Sequence, residues 1–211
     1  MISSDGAPAR AVQTAGPVLI IGSGLLGASL GLALRAGGVK VYLEDASPTS
    51  LRLASDVGAG QAFGDVLAEA GVRPGECGSD TPSYEAPSLV VVATPPDVAD
   101  RVIVESLLRF PDAIVTDVAS VKDAVVADVL RGLEREDCLE AASRYVGSHP
   151  MAGRERSGAG AADADLFYGR PWVIVAHERT WPRAVLVARA LATDVGAVPL
   201  EMNAGTHDHA V

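Results

Sequence analysis

The stretch from Val18 to Gly27, V-L-I-I-G-S-G-L-L-G, constrains this chain more than any other. A short apolar run rich in β-branched residues that breaks at a glycine predicts a strand buried on both faces entering a tight turn. The run that follows, Ala28 to Arg35, has helical character. Gly22, Gly24 and Gly27 stand at G-x-G-x-x-G spacing, with Ser23, Leu25 and Leu26 between them. In a turn of this kind one glycine makes the bend, one lets backbone approach a pyrophosphate, and one permits close helix-to-strand packing. The helix N-terminus supplies unpaired N–H groups and partial positive charge, so phosphate can be held without cationic side chains.

The second apolar run, Lys40 to Asp45, ends in acid about twenty residues beyond the glycines, where a carboxylate would meet an adenosine ribose. Asp45 is favoured over Glu44 because it lies nearer the strand's carboxyl end; the alternative is that Asp45 only caps the turn Ala46-Ser47-Pro48. A carboxylate at this place repels a 2′-phosphate, so NAD is expected over NADP. The formal net charge of -10 argues against a nucleic-acid partner, which would draw on clustered Lys and Arg. A glycine turn binds through backbone, so the acidic balance does not weaken it.

The two cysteines, Cys77 and Cys138, show neither metal-ligand spacing nor a disulfide-dense pattern, and a reducing cytoplasm is expected. Residues 1–16 lack the apolar core of a signal peptide and read as a flexible tail, and no segment is apolar enough to span a bilayer. Residues 17–202 are expected to form the dinucleotide-binding domain.

Strand and helix patterns alternate along that domain. Ser47 caps a helix with Pro48 in its first turn, closing at Gly58. Residues 59–87 are the least legible: a short helix over Asp65 to Ala70 is possible, and Arg73 to Pro87 reads as a surface excursion. Leu89 to Ala93 is a strand stopped by Thr94-Pro95-Pro96, followed by a helix over Asp97 to Arg109. Ile114 to Asp117 is a strand leading to a helix from Val121 to Glu134. Tyr145 to Ser148 forms a strand ending at His149-Pro150. Trp172 to Val175 is a strand, Pro182 to Val195 a helix and Val198 to Glu201 a last strand. Such alternation predicts an α/β fold with a doubly wound, mostly parallel sheet.

Ligands of open α/β sheets bind beyond the carboxyl ends of the strands. Gly22 to Gly27, Asp45, Thr94 to Pro96, Asp117 to Lys122 and Ser148 to Glu155 all follow strand ends, so they are expected to share one crevice. Among them His149 is the side chain that titrates near neutrality without help. From position alone it is either a catalytic group or a satisfied structural histidine.

Taken in order, G-S-G-L-L-G, T-P-P at 94–96, T-D-V-A-S-V-K at 116–122, G-S-H-P-M-A-G-R-E at 147–155 and L-F-Y-G-R-P-W at 166–172 resemble prephenate and arogenate dehydrogenases. H-P-M-A-G is the specific part of the resemblance, which covers Pro17 to the end of the chain. It implies a Rossmann-type dinucleotide-binding domain followed by an all-helical dimerisation domain, of which residues 203–211 resemble the beginning. The cofactor implied is NAD, the substrate prephenate or arogenate, and the full-length form a homodimer. Gly22 to Gly27, Asp45, Thr94, Pro95 and Ser120 are then cofactor-binding positions.

In the same resemblance His149 matches the histidine that hydrogen-bonds the substrate's ring hydroxyl and takes its proton as hydride leaves the same carbon. Ser120 matches a serine lying between nicotinamide, substrate hydroxyl and that histidine; its other reading is an N-cap for a helix starting at Val121. Lys122 either meets an anionic ligand or is a solvated lysine in a helix's first turn. Glu155 either lines the substrate entrance or is a helix-terminal acid, and Arg154 and Arg156 are candidate carboxylate clamps, of which spacing makes at least one a surface residue. His207 matches a histidine at the domain junction. The arginine that binds the substrate's side-chain carboxylate in the family belongs to the helical domain. The expectation is therefore a monomeric chain that binds NAD but turns substrate over negligibly. Two other readings remain: another NAD-dependent dehydrogenase of the β-hydroxyacid type, and a non-catalytic NAD-binding module.

Overall fold

A computed structural model describes residues 12–72, 84–152 and 158–202. Eight strands form one sheet: β1 (Val18–Ile21), β2 (Val41–Glu44), β3 (Gln61–Ala62), β4 (Leu89–Val92), β5 (Ile114–Asp117), β6 (Tyr145–Pro150), β7 (Pro171–Val175) and β8 (Val198–Met202). Among the described residues six α-helices connect them: α1 (Leu25–Ala36), α2 (Pro48–Asp56), α3 (Phe63–Glu69), α4 (Pro96–Arg109), α5 (Asp123–Arg135) and α6 (Pro182–Asp194). The sheet order is β3-β2-β1-β4-β5-β6-β7-β8, so the chain reverses direction of travel across the sheet between β1 and β4. This is a doubly wound, Rossmann-type arrangement, and the reversal point is where such sheets open a crevice.

Both faces of the sheet are covered, which is why its strands are apolar without interruption. Val18, Ile20, Leu43, Leu89 and Val91 pack with Leu30 and Leu34 of α1 and Leu191 of α6 on one side. Leu19, Tyr42, Val90, Val92 and Val115 pack with Phe63, Ile103, Leu107, Val129 and Leu133 on the other. Period-two alternation along each strand thus feeds two separate cores.

The boundaries differ from the sequence reading in places that have local causes. Helix α1 begins at Leu25, with Gly24 as its N-cap, so Gly27 lies inside the helix and not before it. The two-residue edge strand β3 was not expected. It pairs with β2 through Tyr42↔Gln61 and Leu43↔Ala62, too short a run to carry a periodic signal. Helix α3 starts at Phe63, whose apolar ring anchors its first turn in the core.

Strand β6 runs on through His149 and Pro150 because it pairs antiparallel with β7, with His149 opposite Val173 and Pro150 opposite Trp172. The connection between β6 and β7 carries a three-residue 3₁₀ turn, Ala159–Ala161, and no α-helix among its described residues, which fits the reversal of strand direction. The other neighbouring strands pair in parallel. At the other end of the domain, Thr14 and Ala15, from the segment expected to be a flexible tail, are hydrogen-bonded to the domain. The N–H of Thr14 and its hydroxyl both donate to Asp194 at 2.6 Å, and Ser88 donates to the carbonyl of Ala15.

Candidate functional site

Beyond the carboxyl ends of β2, β1 and β4 lies a cleft of about 940 Å³. Gly22, Gly24, Leu25, Leu26, Asp45, Thr94 and Pro95 line it, together with one face of α4. The three glycines of the turn have three different reasons to be there. Gly22 has φ +101°, and a Cβ on it would stand 2.5 Å from the carbonyl oxygen of Ala93. Gly27 meets the turn itself: a Cβ would lie 1.9 Å from the oxygen of Gly22. At Gly24 no described residue lies within 4 Å of the place a Cβ would occupy, so among the described residues the space over the helix N-terminus is open. Among the described residues no side chain caps α1 there. Open space in front of uncapped N–H groups fits a phosphate group, and the chain needs no cation to hold it.

Asp45 joins this turn to the end of β2. Its Oδ2 accepts from the N–H and hydroxyl of Ser23, while Oδ1 accepts from the N–H of Ser47. It therefore does hold its own turn, and also the glycine turn. Its neighbour Glu44 points along the cleft wall, where both carboxylate oxygens lie 2.9 Å from Nη1 of Arg109. The α4 residues that reach the cleft, Val98, Val102, Glu105, Ser106 and Arg109, follow a helical i, i+4, i+7, i+8, i+11 spacing. That signal was present in the sequence, but the same helix's buried face, Ala99, Ile103 and Leu107, has an equal periodicity and accounts for it as core. Thr94 also lines the cleft, and its hydroxyl has no partner among the described residues.

Ser120 and His149 stand one and two strands further along the same edge, after β5 and near the end of β6, and they are not part of the lining of this cleft. Ser120 is exposed, and it is not an N-cap, since α5 begins at Asp123. The reason lies beneath it. Asp117 is completely buried, accepts from the N–H of Ala119 at 2.8 Å and the hydroxyl of Tyr145 at 2.8 Å, and forms an ion pair with Lys122, itself 0% exposed. Lys122 is thus a structural cation folded under the loop and not a solvated one. Its bond to Asp117 draws residues 118–122 into a non-helical turn. Burial, together with the adjacent Asp117 carboxylate, pushes the Tyr145 hydroxyl pKa well above its ordinary value, so it stays a hydrogen-bond donor.

The same network reaches His149's strand. Ser148 donates to the carbonyl of Asp117 at 2.6 Å, and Gly147 faces the Lys122 stem, where a Cβ would come within 3.3 Å. The half-buried His149 follows directly. Glu155, Arg154 and Arg156 lie outside the described residues, as do His207 and Cys77.

Comparison with known proteins decides the family. The family described as prephenate dehydrogenase, nucleotide-binding domain, matches residues 30–201. The chain belongs to the prephenate dehydrogenase family. A probable prephenate dehydrogenase, NovF, of Streptomyces niveus is 39% identical over 92% of the chain, which covers 47% of that protein. The prephenate dehydrogenase of Bacillus subtilis is 27% identical over 90% of the chain, again covering 47% of the relative. The chain therefore spans about half the length of these curated relatives. Among solved structures, the prephenate dehydrogenase of Aquifex aeolicus in complex with hydroxyphenyl propionate and NAD+ superposes with a TM-score of 0.74 at 26% identity. That alignment covers 92% of the chain and 62% of the solved one. A Synechocystis arogenate dehydrogenase superposes with a TM-score of 0.73 at 24% identity, a likeness of fold.

Proposed function

We propose that this chain is the NAD-binding half of a dehydrogenase that oxidatively decarboxylates prephenate or arogenate. The observation that carries the reading is the cleft itself: an uncapped helix N-terminus over open space at Gly24, beside a carboxylate fastened to the same turn, in a chain of the prephenate dehydrogenase family. The order of residues along the sheet edge supports it. Asp45, the glycine turn, Thr94 and Pro95, and Ser120 follow β2, β1, β4 and β5, and His149 lies near the carboxyl end of β6; these five strands are consecutive neighbours. At about 4.8 Å per strand the edge from β2 to β6 extends over about 19 Å, suited to an elongated ligand with its adenosine end at Asp45.

When bound, NAD supplies the acceptor for the hydride that leaves the substrate's hydroxyl-bearing ring carbon, and release of the ring carboxylate as CO2 makes the product aromatic. The glycine turn and the α1 N-terminus hold the pyrophosphate, and Asp45 accepts from a ribose hydroxyl. Ser120 orients the substrate hydroxyl. His149 accepts the proton of that hydroxyl at its imidazole, a positioned base. Asp117, Lys122 and Tyr145 keep the Ser120 loop and the His149 strand in fixed relation.

The test is a calorimetric or fluorescence titration of the chain with NAD, followed by an absorbance assay for NADH with prephenate and with arogenate. Saturable NAD binding is expected. Failure to bind NAD overturns the reading. NADH formation with a β-hydroxyacid and with neither ring substrate would move the protein to a different dehydrogenase class.

A further inference from the structure

We propose that Glu44 is a specificity-determining residue, which masks Arg109 and so makes the adenosine end of the cleft refuse a dinucleotide bearing a 2′-phosphate. The inference rests on the reading of this cleft as the dinucleotide site, and deepens it. Arg109 is a permanent cation set on the cleft wall with Glu44 and Asp45. A guanidinium near the ribose is what ordinarily accommodates a 2′-phosphate, through paired N–H donors. Here Nη1 of Arg109 is instead 2.9 Å from each carboxylate oxygen of Glu44.

The cation is flanked by two aromatic rings, and the turn that carries it is fixed. Its guanidinium lies 5.3 Å from the ring centroid of Phe63 and 4.9 Å from that of Phe110. The C-terminal turn of α4, which carries it, is fixed by the buried Arg144, whose guanidinium donates to the carbonyls of Leu107, Phe110 and Ala113. Arg109 is therefore a pre-placed phosphate ligand whose charge is cancelled by its neighbour. Among the described residues Glu44 and Asp45 are set against one arginine at this end of the cleft, a net negative balance that a 2′-phosphate dianion meets unfavourably. Removal of the Glu44 charge frees Arg109 for an anion while leaving Asp45 and its bonds to Ser23 in place. The pair is partly exposed, at 42% for Arg109 and 38% for Glu44, so its loss is compatible with the fold.

The experiment compares Kd values for NAD and NADP in the unaltered chain, in Glu44→Gln, in Arg109→Gln and in the double variant, with thermal melting as the check on folding. Glu44→Gln is expected to tighten NADP about ten- to hundredfold, the worth of charge-assisted hydrogen bonds, while NAD binding changes little. Adding Arg109→Gln is expected to remove that gain. Glu44→Ala serves as the second variant if Glu44→Gln does not fold. An unaltered chain that binds NAD, with no tightening of NADP in either Glu44 variant, overturns the inference, as does a gain that survives Arg109→Gln. An unaltered chain that binds neither dinucleotide overturns the reading of the cleft instead.

Discussion

Asp45 accepts two hydrogen bonds from Ser23, from its N–H at 2.6 Å and from its hydroxyl at 2.7 Å, which makes the acid after β2 and the turn after β1 one unit. An ionised carboxylate has about four acceptor sites, and Ser47 takes a third, leaving roughly one for a ribose hydroxyl. Asp45→Ala is expected to weaken NAD binding by about tenfold or more and to narrow the preference over NADP. Titration with both dinucleotides checks it. Equal or tighter binding of NADP by the unaltered chain would remove Asp45 as the ribose ligand.

The glycine turn offers a matched pair of substitutions. Gly24→Ala places a methyl in open space at φ -70°, so the folded state is expected to change by within about 0.5 kcal/mol while phosphate binding is lost. Gly27→Ala drives a methyl into the Gly22 carbonyl and is expected to cost about 1 to 3 kcal/mol or more of stability. Urea unfolding beside NAD titration separates the two effects. A Gly24→Ala chain that binds NAD normally would place the pyrophosphate elsewhere.

Lys122→Met leaves the Asp117 charge buried without its cation, for which a loss of about 3 to 5 kcal/mol is expected. Adding Asp117→Asn removes the orphaned charge and is expected to restore a large part of that loss. Chemical denaturation of the single and double variants measures the coupling. Additive losses would mean that the two groups do not act as a pair.

His177, in the turn between β7 and α6, packs 5.8 Å from the Tyr145 ring, and burial holds its pKa below the ordinary value. Between its folded and unfolded pKa values the unfolded chain binds more protons, so stability rises with pH across that window. The contribution is complete above about pH 6.5 and is lost as pH falls below it toward the depressed folded value. His177→Gln is expected to flatten this part of the stability curve, followed as the urea midpoint from acid to neutral pH. An unchanged slope would assign the pH dependence to other groups.

In the proposed reaction, His149→Asn is expected to lower the chemical rate by roughly 10²- to 10⁴-fold with NAD affinity nearly unchanged. Single-turnover kinetics beside NAD titration make the comparison. Near-normal turnover would take His149 out of the proton transfer.

The sequence by itself determined the central apolar strands of the sheet and the glycine turn, because these depend on local rules. Four-residue apolar runs such as Leu89–Val92 must be buried on both faces, Ser47 accepts the Ser50 N–H at its helix start, and Gly22 takes a φ few other residues tolerate. The tertiary structure alone decided what becomes of charges whose partners are distant in sequence. Lys122 has the sequence context of a solvated first-turn lysine, and only the folded loop shows it sealed against Asp117 under Gly147 and Tyr145. Glu44 and Arg109 are 65 residues apart, and neither has a local signal for the other. Strand β6 continues through His149 because β7 returns beside it antiparallel, a pairing made across the β6–β7 connection. Periodicity and turn chemistry act over a few residues and can be read from order alone. Ion pairs and strand partners are chosen by proximity in space, which exists only once the chain has folded.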